Sequence, residues 1–158
     1  MTKFSKLIAF ILAAAMTLLL VTSCAKTPSD TAAFIALAEK NGYKVYDVTD
    51  QYANAPQITR ATIVAPEDRS FQIEFYIITD KESAKKLYIA QSEELENYKR
   101  SEDKASVSNG SNYAKRSVVT DGKYLMVAYT ENTVLYVPPT DANANKKTIE
   151  KFIKDFRY

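Results

Sequence analysis

The 158-residue chain contains no histidine and no tryptophan, and it has only one cysteine and three glycines. The absence of histidine removes the commonest general base and the commonest zinc ligand. A single cysteine cannot form a disulfide within the chain or build a thiolate metal site. Each glycine lies at a predicted turn, so no glycine-rich phosphate loop is present. These absences disfavour an enzyme, and we expect no metal and no cofactor.

The single cysteine, Cys24, follows an N-terminal segment with the layout of an export signal. Lys3 and Lys6 precede an uncharged run over residues 7–21. This run is shorter than the ~20 residues that a membrane-spanning helix needs. The alternatives are an uncleaved membrane anchor and an ordinary secretory signal that happens to be followed by a cysteine.

The tetrapeptide Val21-Thr22-Ser23-Cys24 resembles the lipobox of bacterial lipoproteins, in which an aliphatic and two small residues precede an invariant cysteine. The resemblance implies a signal peptide over residues 1–23, cleavage before Cys24, and acylation of the Cys24 thiol with chains such as palmitate. It also implies a lipid-anchored protein on the extracytoplasmic face of the cell membrane. Whether the cell has an outer membrane stays open.

Two of the 21 basic residues, Lys3 and Lys6, lie before Cys24, so the rest of the chain carries 19 basic and 19 acidic residues. This balance gives no electrostatic signal for a nucleic-acid partner. After a short lipidated tether over residues 24–27, residues 28–158 are long enough for one domain with its own core. This domain looks like the small surface lipoproteins of Gram-positive bacteria, a resemblance that supplies no site residues.

The pattern of residues 28–158 predicts two halves with the same order of elements and a closing helix, αβββ–αβββ–α. Runs of consecutive strands predict antiparallel pairing. The expected fold is therefore a single α+β domain with an antiparallel sheet, or sheets, and helices packed on one face. The pattern leaves open whether there are one or two sheets and whether the halves are a true duplication.

Local signals predict the boundaries of these elements. Asp121-Gly122 is typical of a type I′ hairpin, and the polar residues 100–112 predict a mobile loop. Pro138-Pro139 predicts the end of the sheet. The expected starts of the three helices are Thr27 before Pro28, a capping box over Thr79-Asp80-Lys81-Glu82, and Asp141 or Asn143.

Tyrosines are the candidate binding residues. Tyr76, Tyr124 and Tyr136 lie in predicted strands that carry large residues on both faces. Tyrosine is flat, stiff and amphipathic, which suits protein interfaces and stacking on sugars. Together with residues 100–112 they form the predicted binding surface. The alternative is that they simply occupy strand positions, where tyrosine is favoured.

Two features keep an enzymatic alternative open. Ser83 with Lys86, and Ser101 with Lys104, match the S-x-x-K spacing that places a serine and an activating lysine on one helical face. The companion motifs of acyl-serine enzymes are absent. Paired carboxylates could serve in glycoside hydrolysis, and the predicted second helix carries Glu93, Glu94 and Glu96.

The leading interpretation is a lipid-anchored, extracytoplasmic, non-enzymatic binding or interaction module of the bacterial envelope. Its expected contacts are the membrane, through the lipid, and a neighbouring envelope protein or a wall glycan. One alternative is a small envelope enzyme that uses serine and lysine or carboxylates. Another is an accessory subunit of a membrane transporter or signalling complex.

Overall fold

The computed structural model describes residues 30–100 and 103–158, which form three α-helices and seven β-strands. Cys24 and the predicted tether over residues 24–27 lie outside this range. A short 3₁₀ helix, Thr49–Tyr52, links the first two strands. The helices are α1 (Thr31–Lys40), α2 (Lys81–Tyr98) and α3 (Ala142–Asp155). The strands are β1 (Lys44–Asp47), β2 (Ile58–Ala65), β3 (Ile73–Ile78), β4 (Lys104–Asn109), β5 (Tyr113–Thr120), β6 (Lys123–Thr130) and β7 (Thr133–Asp141).

The seven strands belong to one antiparallel sheet in the order β1-β2-β3-β7-β6-β5-β4. The first three strands form one side of the sheet and the last four form the other. Pairing between β3 and β7 joins the two sides. The predicted α+β class and antiparallel pairing are therefore confirmed, and the two halves share one continuous sheet.

The sheet buries apolar side chains on both faces, and a helix layer covers part of each. Along β6, Tyr124 and Met126 belong to the core beneath α1 and α3, whereas Leu125 and Val127 belong to the core beneath α2. Alternate residues of a strand point to opposite faces. Two helices thus share a face, as predicted, and α2 lies on the opposite face. Residues 124–130 are all buried, so this part of the sheet needs cover on both sides.

An aspartate begins each helix. The three N-caps are Asp30, Asp80 and Asp141, and each side chain accepts a hydrogen bond from the backbone N–H three residues later. Asp141 confirms one of the two predicted caps of α3. The predicted capping box places the N-cap of the second helix at Thr79, whereas the N-cap of α2 is the next residue, Asp80. The first helix begins at Thr31 after Asp30, whereas the sequence predicts a start at Thr27-Pro28, which lies outside the described residues.

Residues 104–109 form the edge strand β4, which corrects the prediction that they belong to a loop over residues 100–112. Pairing with β5 runs from Lys104 opposite Val119 to Asn109 opposite Ala114. All six side chains of β4 are exposed, so neither face of the strand packs into the core. The backbone hydrogen bonds to β5 are what hold it.

Strand β7 continues through Pro138 and Pro139, although the sequence predicts that this pair ends the sheet. β3 pairs with β7 only as far as Tyr136. The register of β6 against β7 also shifts between Tyr124 and Met126. Proline has no N–H to donate and is tolerated at such irregularities and along unpaired strand edges.

Asp121 and Gly122 form the tight turn between β5 and β6, as predicted. Their φ angles are 47° and 71°, and a type I′ turn requires positive φ at both positions. This turn sets a register in which Ser117 lies opposite Met126. It therefore decides which β5 side chains share the face that carries α3.

Candidate functional site

An open cleft of about 820 Å³ lies between α3 and the outer strands β4 and β5. It arises because α3 packs against β6 and β7, while the sheet continues two strands further. Pockets for small ligands commonly have volumes of roughly 300–1,000 Å³. We call this space the α3 cleft; it lies between residues 104–106 and 115–119 on the sheet side and residues 146–158 on the helix side.

The floor of the α3 cleft contains two hydroxyls between two lysines. Ser106 of β4 lies directly opposite Ser117 of β5, so their side chains are close neighbours on one face. Lys104 and Lys115 line the cleft on either side of this pair. The floor thus offers hydrogen-bond donors and positive charge along two adjacent strands.

The wall of the α3 cleft carries a second set of cations. Lys146, Glu150 and Lys154 lie four residues apart on α3 and therefore share one face of the helix. Arg157, just after the helix, extends this row. The cations of the wall and those of the floor line the same open space.

Among the described residues, the lining of the α3 cleft contains five cationic side chains and one acidic side chain. Lys146 is 3.9 Å from that carboxylate, Glu150. Within residues 30–100 and 103–158, no ion pair shorter than 4.0 Å involves the other four, which are Lys104, Lys115, Lys154 and Arg157. Because the chain beyond Cys24 has balanced charge, the cleft is a local concentration of positive charge.

Arg157 has a left-handed backbone conformation, with φ of 63°. Its N–H donates to the carbonyl of Lys154, and the N–H of Tyr158 donates to that of Ile153, which is the Schellman pattern. Gly42 occupies the same position after α1, with φ of 73°. A residue with a Cβ pays roughly 1–2 kcal/mol in this conformation. The α3 cleft therefore holds a cation at a position that favours glycine.

Replacement of Arg157 by glycine is expected to raise the free energy of unfolding by about 0.5–1 kcal/mol. The relief of left-handed strain exceeds the entropy that glycine adds to the unfolded chain. Urea unfolding followed by circular dichroism measures the change. Lys154→Gly is the matched control, because glycine inside the last helical turn should cost about 1 kcal/mol. A loss of stability in Arg157→Gly would show that the left-handed conformation of Arg157 does not destabilise the protein.

The structure does not bring the three predicted tyrosines together. Tyr124 lies at the base of the α3 cleft and is only 2% exposed, with the Lys146 ammonium 5.8 Å from its ring centroid. Burial, and then the Glu150 carboxylate, raise the pKa of Tyr124. Tyr76 and Tyr136 belong to the core region on the opposite face of the sheet.

Tyr76 lies in a polar cluster on that opposite face. Its hydroxyl donates to the Glu74 carboxylate and lies 2.9 Å from the hydroxyl of Tyr52. Gln72 donates to the same carboxylate at 2.6 Å. Burial and the Glu74 charge raise the pKa of Tyr76. The cluster attaches the 3₁₀ helix to β3 and satisfies a carboxylate, which is a structural role.

Tyr136 is half-buried and lies opposite Glu74 in the pairing of β3 with β7. Burial raises the pKa of Tyr136 to about 12, with further contributions from Glu94 and Glu74. The strand alternation explains why this residue accompanies Tyr76 and not Tyr124. Of the predicted tyrosines, only Tyr124 contacts the α3 cleft.

Ser83 and Glu96, two of the residues proposed for an enzymatic alternative, have other polar partners, and Ser101 lies outside the described residues. The Ser83 hydroxyl donates to Asp80 at 2.8 Å, and Lys86 is exposed. Glu96 pairs with Arg116 across α2 and β5. In the described ranges, no group of three histidine, cysteine or acidic residues is arranged to hold a metal ion. No helix within those ranges is long and apolar enough to cross a membrane.

Sequence reasoning misses the cations of the α3 cleft. The floor depends on recognising residues 104–109 as a strand. Their signal in the sequence is the short alternation of polar Lys104, Ser106 and Ser108 with apolar Ala105 and Val107. The wall had a visible signal, since Lys146, Glu150 and Lys154 follow the four-residue spacing of one helical face. Nothing in the sequence places the two groups opposite each other.

Comparisons with known proteins give little guidance. No protein-family profile and no curated protein matches the chain. A solved structure described as a GTP-binding regulator from Thermotoga maritima aligns with 18% identity and a TM-score of 0.47. The alignment covers 80% of this chain and 84% of that one. A similarity this low carries no argument about function.

Proposed function

We propose that the protein is a lipid-anchored, non-enzymatic binding module on the extracytoplasmic face of the bacterial cell membrane. The α3 cleft is its binding site. The observation that carries the proposal is the open space of about 820 Å³ between α3 and the outer strands. It is large enough for a small ligand or a segment of a polymer.

The anchor part of the proposal depends on the lipobox residues that end at Cys24. Two or more acyl chains would hold the protein stably at the membrane, whereas one chain binds only marginally. Six residue steps separate Cys24 from Asp30, the N-cap of α1, and at full extension they reach about 20 Å. The domain would therefore stay close to the headgroups. α1 and the α3 cleft also lie on the same face of the sheet.

We expect Cys24→Ser to abolish attachment of lipid to the protein in intact cells. The serine hydroxyl cannot replace the thiol that receives the lipid, so labelled palmitate should enter the parent protein alone. Palmitate labelling and mass spectrometry of the N-terminal peptide provide the readout. Equal palmitate labelling of the parent and of Cys24→Ser, or an N-terminal peptide of the parent without lipid on Cys24, would overturn the lipid anchor.

Occupancy of the α3 cleft can be tested in the same cells by photocrosslinking. A photoreactive amino acid at position 106, on the floor, should form an adduct with the bound molecule. The same amino acid at position 147 is the matched control, because Lys147 is exposed on α3 and does not line the cleft. Equal adduct yields at both positions, or none at either, would reject the cleft as the binding site.

A further inference from the structure

We propose that the α3 cleft binds a ligand that carries two or more phosphate groups. This inference rests on the proposed function, because it takes the α3 cleft as the binding site and then assigns the chemistry of its occupant. It is carried by the charge, the donor groups and the two-sided shape of the cleft.

The charge of the cleft favours an anionic ligand. Four of its five cations have no carboxylate partner within 4.0 Å among the described residues. Cations gathered on two facing elements repel one another and lower the stability of the fold. An anion placed between floor and wall would relieve this repulsion. Among the described residues, Glu150 is the one acidic side chain of the lining, and its ion pair is with Lys146 at 3.9 Å.

The arrangement of hydrogen-bond donors on two facing sides of the cleft favours a tetrahedral phosphate. Ser106 and Ser117 lie side by side on the floor, and Lys154 and Arg157 line the opposite wall. A tetrahedral phosphate presents oxygens in both directions and can accept from both sides at once. Lysine binds phosphate as a point charge, and arginine can donate two parallel hydrogen bonds to it.

The size of the cleft indicates more than one phosphate. Lys104 and Lys115 lie on different strands, and Lys154 and Arg157 lie on the facing wall. A volume of about 820 Å³ exceeds what one phosphate ion fills, since it falls in the range of pockets for drug-sized ligands. A linear chain of phosphates, or a polymer with phosphodiester links, could contact all four cations.

Titration calorimetry with tripolyphosphate tests the proposal on the full-length chain in neutral detergent. Each cation contributes a charge-assisted hydrogen bond, and its loss should weaken binding roughly tenfold. We therefore expect Lys104→Ala with Lys115→Ala to weaken binding about a hundredfold. Lys147→Ala removes a lysine of α3 outside the cleft and should change the affinity less than about twofold. Equal effects of the floor pair and Lys147→Ala would overturn the proposal.

Two further variants separate binding from folding. Glu150→Gln removes the one acidic side chain among the described residues of the lining and frees Lys146, so it should bind tripolyphosphate about three- to tenfold more tightly. Arg157→Gly should bind about tenfold more weakly although its melting temperature rises. Weaker binding by Glu150→Gln, or unchanged binding by Arg157→Gly, would contradict an anion site.

Competition identifies the ligand class and its source. Polyglutamate presents carboxylates in place of phosphates, and equal affinity for it would overturn the phosphate assignment. Vesicles of cardiolipin, a lipid with two phosphates in its headgroup, in phosphatidylcholine distinguish a lipid headgroup from a soluble phosphate. A lipid source predicts cleft-dependent vesicle binding, whereas a soluble source predicts binding of tripolyphosphate alone. If position 106 crosslinks in cells while tripolyphosphate does not bind, the phosphate inference fails and the proposed function stands.

Discussion

Raising the pH from 10 to 11 is expected to lower the free energy of unfolding by about 3 kcal/mol. Three buried tyrosines produce this loss: Tyr76, Tyr124 and Tyr158 are 7%, 2% and 4% exposed. Burial is the largest cause that raises the pKa of each above the ordinary value of 10.0. Tyr136 is half-buried and adds a smaller loss in the same direction.

The sign follows from the protonation of the two states. Above pH 10 the unfolded chain loses the phenol protons, while the folded protein retains those of the buried tyrosines. Deprotonation therefore stabilises the unfolded state. The free energy of unfolding keeps its full tyrosine contribution below pH 10 and falls as the pH rises above 10, the ordinary pKa of tyrosine. Each such group contributes about 1 kcal/mol over the first pH unit and approaches 1.4 kcal/mol per unit beyond it. Because the chain has no histidine, no comparable change is expected between pH 6 and 9.

Urea unfolding at several pH values, with tyrosinate absorbance recorded alongside, measures this dependence. Tyr158→Phe removes one titrating group, so the loss between pH 10 and 11 should shrink by about 1 kcal/mol. Thr133, which lies 2.9 Å from the Tyr158 hydroxyl, also donates to the carbonyl of Thr130, so the variant leaves it satisfied. Tyr98→Phe is the control, since Tyr98 is 50% exposed. Identical pH profiles for both variants would show that buried phenols are not the cause.

The parts of the fold that the sequence predicts well are those where local and long-range signals agree. The strong strand pattern of β6 coincides with the turn residues Asp121 and Gly122, which both adopt the positive φ that a type I′ turn requires. Asp141 caps α3 by the local rule that predicts it. In such segments the neighbours along the chain carry enough information to fix the element.

The differences arise where the partner strand or face decides the structure. β4 has no buried side chain and is a strand only because β5 supplies its hydrogen-bond partners. Pro138 and Pro139 remain in β7 because the pairing of β7 with β3 stops at Tyr136. Neither circumstance can be seen in the segment itself. The position of α2 on the opposite face likewise depends on the alternation of β6 within the assembled sheet.

The candidate site, too, is only partly predictable from local sequence signals. The sequence identifies Tyr76 and Tyr124 as aromatic strand residues, but assigning each to a face requires the register across the three strands β3, β7 and β6. That register places them on opposite sides of the sheet. The α3 cleft needs in addition the packing of α3 on β6 and β7, which leaves the floor lysines uncovered. Charge balance along the chain therefore conceals a concentration of cations that exists only in three dimensions.

Replacement of Phe34 by alanine is expected to lower the free energy of unfolding by about 3–5 kcal/mol. Phe34 is fully buried and is the one large side chain among the three buried residues of α1. Its ring centroid lies 5.0 Å from that of Phe75, 5.7 Å from Phe152 and 5.2 Å from Phe156. The alanine variant would leave a cavity between α1, the sheet and α3 that the surrounding rings cannot fill.

Because single domains are stable by only about 5–15 kcal/mol, this change should bring the protein close to the limit of folding. Phe34→Leu retains most of the volume and should cost less than about 1.5 kcal/mol. Ile89→Ala, at a side chain of α2 that is 43% exposed, should change stability by less than about 0.5 kcal/mol. Urea unfolding followed by circular dichroism compares the variants. A cost below about 1.5 kcal/mol for Phe34→Ala would mean that α1 is not part of the cooperative core.

The same variant connects the core to the proposed binding site. Phe152 and Phe156 hold the inner side of α3 against Phe34, while Lys154 and Arg157 line the α3 cleft. Loss of the Phe34 ring should therefore loosen the wall of the cleft as well as α1. We expect Phe34→Ala to weaken tripolyphosphate binding even where the protein is still folded, and Phe34→Leu to leave it nearly unchanged. If both variants bind as the parent does, the wall keeps its position without support from α1.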